Sequence, residues 1–338
     1  MQGRLIVAPV LYFISLTKVD FLHAYLYGMK RTGLSLFAVF CLISFSCHTE
    51  TGSNTKPGQQ GTTSTKDTVD TTAVKSNTGY HYDMAHPSST WKLPAPLVEV
   101  SGNTWVDADH LLLIEDLHPN LYYVKLDNKN AILEKTISFT TSAKEKVDIE
   151  DVCVHNDIVY ALWSHGVLFS ISNWRTKPVT EQANTGLAKE NNTEGLCYDP
   201  VSNKLLIACK DDAGVEDEKK SAKAVYQYDI DGKKLVNPPF MIIHKKDFEA
   251  ITGSKLSFNP SAIAVHPVTH DIYILTTREN KGMAVFSHDG ALRSYQEIQK
   301  ELMPQPEGIC FSPEGKLFIS SEGKKGDPGN LFEFDPAR

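Results

Sequence analysis

An all-β fold made of repeated units is expected from three features of the sequence. Short apolar or alternating runs separated by turn signals fill residues 80–338, with no long amphipathic helix among them. Five of these stretches share one register. Their starts, Ser101, Glu150, Glu194, Ser261 and Glu307, are spaced by 49, 44, 67 and 46 residues. A period in the forties with strand–turn–strand content marks a blade of a β-propeller. A sandwich would not repeat its opening motif, and a parallel β-helix has a much shorter period.

The N-terminal region is read as an address rather than a fold. After Met29 come Lys30 and Arg31, an apolar run from Leu34 to Phe45, then Ser46 and Cys47. A charged start, a short apolar segment and a cysteine at the cleavage position make residues 29–46 resemble a bacterial lipoprotein signal peptide. Cys47 would then be the lipidated first residue of the mature chain. Residues 1–28, interrupted by Lys18, Asp20 and His23, read as an extra N-terminal segment or a start assigned too far upstream of Met29. Residues 47–79 are rich in Thr, Ser, Gly and Lys and contain no aromatic residue. Such a segment buries too little apolar surface to offset its chain entropy, so a flexible tether is expected there.

The folded part is expected from Tyr80 onward as a single propeller domain, 80–338. The runs LLLIED, LYYVKLD, IVYALWS, LFSIS, KLLIACKDD, AVYQYDID, DIYILTT, MAVFSHDG, KLFISSE and NLFEFDP read as strands. Asp199-Pro200, Asp231-Gly232, Asp289-Gly290 and Pro313-Glu314-Gly315 punctuate them as turns. The stretch His244–Ile251 is the nearest thing to a helix. The last repeat supplies only three strands, so a strand from about Tyr80–Leu93 is expected to pair into it and close the ring. Closure removes exposed sheet edges. Five blades are counted; a sixth stays open if the 67-residue interval hides a degenerate repeat.

Composition narrows the partners. The chain has 34 Lys+Arg and 41 Asp+Glu, net −7, with no basic block to follow a nucleic-acid backbone. Residues 1–46 hold four bases and one acid, so a chain starting at Cys47 would carry net −10. The expected partners are a membrane, through the lipid anchor, and a small molecule or envelope protein. Nucleic acid is not among them, and a monomer is expected.

The EVSG opening with LYYVKL, the segments Asn192-Thr193-Glu194-Gly195 and Asn259-Pro260-Ser261-Ala262, and above all Gln305-Pro306-Glu307-Gly308-Ile309, resemble the SdiA-regulated (YjiK-like) family of bacterial exported propeller lipoproteins. The resemblance covers about residues 90–336. It departs at Glu150-Asp151, where Glu-Gly is more typical, and at Asn103-Thr104-Trp105. It implies an envelope location and a propeller shape, and names no reaction.

Two rings of polar residues are candidates for function. Glu150, Glu194 and Glu307 hold one register, with Ser101 and Ser261 in the other two repeats. Carboxylates gathered round an axis repel unless a cation or basic group sits among them. Ca²⁺ held by Glu150, Glu194 and Glu307 is one expectation. A structural role, each Glu capping amides of a neighbouring blade, is the other. About fifteen residues after each start lies a second ring of mixed charge: Asp116, His165, Lys210, Arg278 and Glu322. These, with Ser101 and Ser261, are the candidate ligand-binding residues; solvated strand ends explain them equally well.

Other motifs are weaker. His266 and His270 fall in a turn beside Pro267 rather than on a zinc-binding helix, and no GxSxG elbow or P-loop is present. Cys153, Cys197 and Cys310 occupy equivalent places in different blades, too far apart for disulfides. Two functions remain: ligand binding at one face of the channel without catalysis, and a calcium-dependent hydrolase of the phytase-like or lactonase-like propeller type. The second needs a general base, for which His165 is the only nearby histidine.

Overall fold

The computed structural model describes residues 80–337 apart from 143–145, 217, 219–220 and 325. The expected signal segment, the tether, Cys47 and residues 1–28 lie outside the described residues.

Twenty strands form five antiparallel four-stranded sheets. The first strand, β1 (Ser89–Lys92), belongs to the last sheet. Blade 1 is β2 (Val100–Asp107), β3 (His110–Glu115), β4 (Asn120–Leu126) and β5 (Ala131–Ser138). Blade 2 is β6 (Ile149–His155), β7 (Ile158–Trp163), β8 (Val167–Ser172) and β9 (Val179–Asn184). Blade 3 is β10 (Thr193–Asp199), β11 (Lys204–Cys209), β12 (Lys223–Asp229) and β13 (Lys234–Ile243). Blade 4 is β14 (Pro260–Val265), β15 (Ile272–Thr276), β16 (Gly282–Phe286) and β17 (Leu292–Glu297). Blade 5 is β18 (Pro306–Phe311), β19 (Leu317–Ser321) and β20 (Asn330–Phe334), with β1 as its outer strand. The innermost strands β2, β6, β10, β14 and β18 each contact the next, and β18 returns to β2. The molecule is a closed five-bladed β-propeller.

No sixth blade occupies the 67-residue interval. Its extra length goes into the loop between β11 and β12, a ten-residue β13, and a helical excursion of one 3₁₀ turn (Lys245–Phe248) and one α turn (Glu249–Thr252). Gly253 ends that excursion at φ +75°, a conformation in which a side chain would be strained.

The core lies between blades. The second and third strands are covered on both faces, so they read as unbroken apolar runs: every residue of β15, β16 and β19 is buried. Outer strands such as β5 and β9 are mostly exposed and polar. Between blades 1 and 2, Leu112 and Ile114 pack with Val152, Ala161 and Phe169. Each such side chain, fully buried, contributes roughly 1.5–3 kcal/mol. The cysteines Cys153, Cys197, Cys209 and Cys310 join this packing as buried free thiols.

Closure is held by the N-terminal strand. β1 pairs antiparallel with β20, from Ser89↔Glu333 to Lys92↔Asn330, and His81 bridges Ala337. Ahead of β1, Tyr82 is inserted between blades 4 and 5 against Tyr273 and Phe311. Its hydroxyl donates to the Gly315 carbonyl at 2.6 Å and lies 3.1 Å from His266 Nε2. His266 Nδ1 accepts from the amides of Val268 and Thr269, so its ring proton belongs on Nε2, facing Tyr82. His266 and His270 therefore serve a turn, as their spacing around Pro267 implies.

Candidate functional site at one mouth of the channel

The repeated register of the sequence has a structural counterpart. In every innermost strand the pairing register slips at the repeated position: between Val100 and Asn103, Ile149 and Asp151, Thr193 and Gly195, Pro260 and Ala262, and Pro306 and Gly308. Glu150, Glu194, Ser261 and Glu307, and the Ser101-Gly102 pair, are thus the extra residues of five β-bulges. A bulge bends its strand and re-aims the side chain it carries.

The residue after each bulge is small for a separate reason. A Cβ on Gly308 would lie 2.3 Å from Ser320 Oγ and 2.8 Å from the Ser101 carbonyl; one on Gly195 would meet Ile263 at 2.9 Å. Neighbouring innermost strands approach too closely for a side chain. Asp151 departs from this pattern with a purpose. It faces Gly102, and its carboxylate accepts the amides of Val152 at 2.8 Å and of Leu196, in blade 3, at 2.7 Å. Ser261 similarly donates to the Pro306 carbonyl of blade 5 at 2.9 Å. Ties between neighbouring blades are thus made by Asp151 and Ser261.

The second ring belongs to the same end. Cys209 pairs with Thr193, Thr276 with Pro260, Ser321 with Pro306, Trp163 with Ile149 and Glu115 with Val100. Lys210, Arg278, Glu322, His165 and Asp116 follow within one or two residues of these second-strand ends. Both rings therefore surround one mouth of the channel.

At its centre Lys210 Nζ lies 2.9 Å from Glu194 Oε2, with both side chains nearly shielded from water. Asn192 Nδ2 donates to Glu194 Oε1 at 2.8 Å. Burial, then the charges of Glu194 and Asp148, hold Glu150 well above the usual carboxyl range. Burial also raises Glu194, but Lys210 opposes the rise and Glu150 hydrogen-bonds to it. Burial pushes Glu307 up to about 8 against the pull of Lys210, and Thr277 hydrogen-bonds to it. Burial pulls Lys210 downward, yet the carboxyls of Glu307 and Glu194 outweigh it, and the ammonium stays charged.

The rest of the second ring is divided. Arg278 donates to Asp211 through both terminal guanidinium nitrogens, Nη1 and Nη2, the latter at 2.9 Å. His165 stacks on Trp163 with centroids 4.7 Å apart. Asp116 is raised to about 6 by burial and by Glu99 and Asp148, and its Oδ1 is buried without a hydrogen-bond partner. Glu322 is raised to about 7 by burial and by Asp116 and Glu99, while Gln305 hydrogen-bonds to it. Ser101 is buried on its bulge.

Four charged neighbours escape the sequence register: Glu99, Asp148, Lys223 and Lys281. Lys223 Nζ donates to the Asp211 carbonyl at 2.9 Å, and Lys281 Nζ to that of Thr277 at 2.6 Å. The repeat itself held a signal for Glu99 and Asp148, which stand two residues before the bulge in their blades.

A divalent ion bound by Glu150, Glu194 and Glu307 does not fit this arrangement. The ammonium of Lys210 already supplies the positive charge among these carboxyls, and the two oxygens of Glu194 are taken by Lys210 and Asn192. Hard-cation sites need ionised oxygens free to face the metal.

The fold and the site together define a five-bladed propeller with a charged mouth at the end where the innermost strands begin. No family model and no curated protein matches the chain. Among solved structures it is similar to glutaminyl cyclase from Myxococcus xanthus, with TM-score 0.50 and 14% identity over 74% of this chain and 95% of that one. It is also similar to virginiamycin B lyase from Staphylococcus aureus, with TM-score 0.42 and 12% identity over 73% of each. At such identities the likeness concerns the fold alone.

Proposed function

We propose that the chain is a lipid-anchored propeller of the bacterial cell envelope that binds a small polar ligand at this mouth. The observation that carries the binding reading is Lys210 held among Glu150, Glu194 and Glu307, groups contributed by three blades and brought together only by the closed ring. Buried charges are costly to assemble. A mouth that keeps five carboxyls raised by burial stores electrostatic free energy that a ligand can release. The anchor rests on the lipoprotein-like segment ending in Cys47, and the resemblance to the SdiA-regulated family supports the same location.

The calcium-dependent hydrolase is the weaker reading, because its metal position coincides with the Lys210 ammonium. Binding without catalysis needs neither metal nor general base.

A thermal-shift screen of amino acids, peptides, sugars and nucleosides on the full chain tests the proposal. At least one such compound is expected to raise the Tm, since a ligand bound only by the native state stabilises it. The shift should vanish in Glu307→Gln and in Arg278→Gln. Shifts that survive both substitutions would place binding elsewhere and end this reading.

A further inference from the structure

Going round the mouth, the charges fall into two arcs. Blades 5, 1 and 2 contribute Glu322, Glu99, Asp116 and Asp148; after burial, Glu99 and Asp148 raise Asp116, and Asp116 and Glu99 raise Glu322. Lys146 opposes the rise of Asp116, and Lys210 that of Glu322. Blades 3 and 4 contribute Lys210, Lys223, Arg278 and Lys281, with Lys245 from the helical excursion between them. On this side Asp211 pairs with Arg278, and burial pulls Lys223 down against the charge of Asp211, with Arg278 and Lys245 adding to the fall. The acidic side is thus in excess of its bases, whereas the basic side is partly compensated by Glu194, Glu307 and Asp211. A purely cationic ligand would relieve one arc and aggravate the other, and an anion would do the reverse.

Resting on the binding reading above, we infer that the ligand is a zwitterion, an amino acid or short peptide, with its ammonium on the Glu322–Asp116 arc and its carboxylate on the Arg278–Lys223 arc. Asp116 and Glu322, each only partly buried, are the carboxyls that an ammonium can approach on this side. The exposed half of Arg278, beyond its Asp211 pair, keeps N–H donors for a carboxylate. Charges of both signs on a rigid ring also select for length, because both ends of the ligand must reach together.

Titration calorimetry on the full chain with glycine, diglycine, triglycine and tetraglycine measures that length directly. Affinity is expected to peak at one member, which separates a free amino acid from a peptide. N-acetylation or C-amidation of the best member should each weaken binding at least about tenfold, the loss of one charge-assisted contact. Glu322→Gln should then lose its discrimination against the acetylated form, and Arg278→Gln its discrimination against the amide. Both side chains reach solvent, and circular dichroism would verify that the variants fold. Equal binding of the capped and free peptides, or no heat from any glycine peptide at millimolar concentration, would overturn the inference. If a sugar or nucleoside instead binds in a way that Glu307→Gln abolishes, the zwitterion fails while the mouth remains the binding site.

Discussion

Lys210 holds Glu194 at 2.9 Å in the wall of the channel, and both side chains are nearly dry. The pair joins the end of β11 to the bulge of β10, so one blade supplies both partners. Glu150 and Glu307 approach it from blades 2 and 5, and the ammonium is what lets three carboxyls share the axis.

Lys210→Met should therefore cost about 3–5 kcal/mol, because it strands Glu194 without its counter-charge in a buried place. Urea unfolding of the full chain measures the loss. Adding Glu194→Gln to the same chain is expected to recover much of it, since no uncompensated charge then remains. A Lys210→Met variant as stable as the parent would show that water, not Lys210, screens the glutamates.

The same environment sets a pH dependence that runs from the ordinary carboxyl range near 4.5 up to about pH 8. Glu307 and Glu322, at about 8 and about 7, are raised above their unfolded values. Between those values the native state holds more protons than the unfolded state, so stability falls as pH rises. The Tm is expected to decline from pH 6.5 to 8.5, and less steeply in Glu307→Gln. Below pH 6.5 His266, lowered to about 4 by burial, acts in the opposite sense: its contribution is lost as pH falls toward 4.

Gly308→Ala should destabilise more than Gly195→Ala. The new methyl group would lie 2.8 and 2.9 Å from backbone atoms of Ser101 and Asn103 as well as 2.3 Å from Ser320 Oγ, whereas at Gly195 the contacts are looser, 2.9 Å to Ile263 Cγ2 and 3.0 and 3.1 Å to backbone atoms of Ile263 and Ala262. A cost of about 1–3 kcal/mol is expected at Gly308, the usual penalty of overpacking. Thermal melts of the two variants decide the order.

Tyr82→Phe should cost about 1–3 kcal/mol, because the Gly315 carbonyl and the His266 Nε2 proton lose their shared hydroxyl in a buried place. Its pH profile should also change. With the hydrogen-bond chain broken, the low-pH arm governed by His266 shifts, which a mere loss of packing would not cause.

Millimolar calcium should leave the Tm of the parent unchanged, since Lys210 holds the place that a cation would need. A calcium-dependent rise of several degrees would restore the metal reading of Glu150, Glu194 and Glu307.

The architecture was largely legible in the sequence because a propeller repeats its local rules. An acid or serine followed by a small or acidic residue in one recurring register, apolar runs for the doubly covered strands and turn residues between them were enough to count five blades, and the shortfall of the last repeat foretold β1. The Glu194 register was legible too, but not its partner's role. Lys210 is sixteen residues away, and only the strand pairing of β10 with β11 shows that its ammonium lies at Glu194 rather than in solvent. Asp151 looked like a departure from a glycine rule; the reason for it, an amide of Leu196 in another blade, is a long-range fact that no local pattern carries. The two charged arcs likewise appear only when five linear segments are laid round a circle, which places Glu322 beside Asp116 although 206 residues separate them.

Because blade 5 is assembled from β1 and from β18–β20, its outer strand is synthesised before, and its other three strands after, the four remaining blades. Until Phe334 has emerged, Trp91 has no strand to lie beside, and the other four blades form an arc with two unsealed flanks. A prematurely terminated product would display those flanks as sticky, protease-accessible edges. The molecule thus carries its own proof of completeness: only a chain synthesised through its last strand can hide its first.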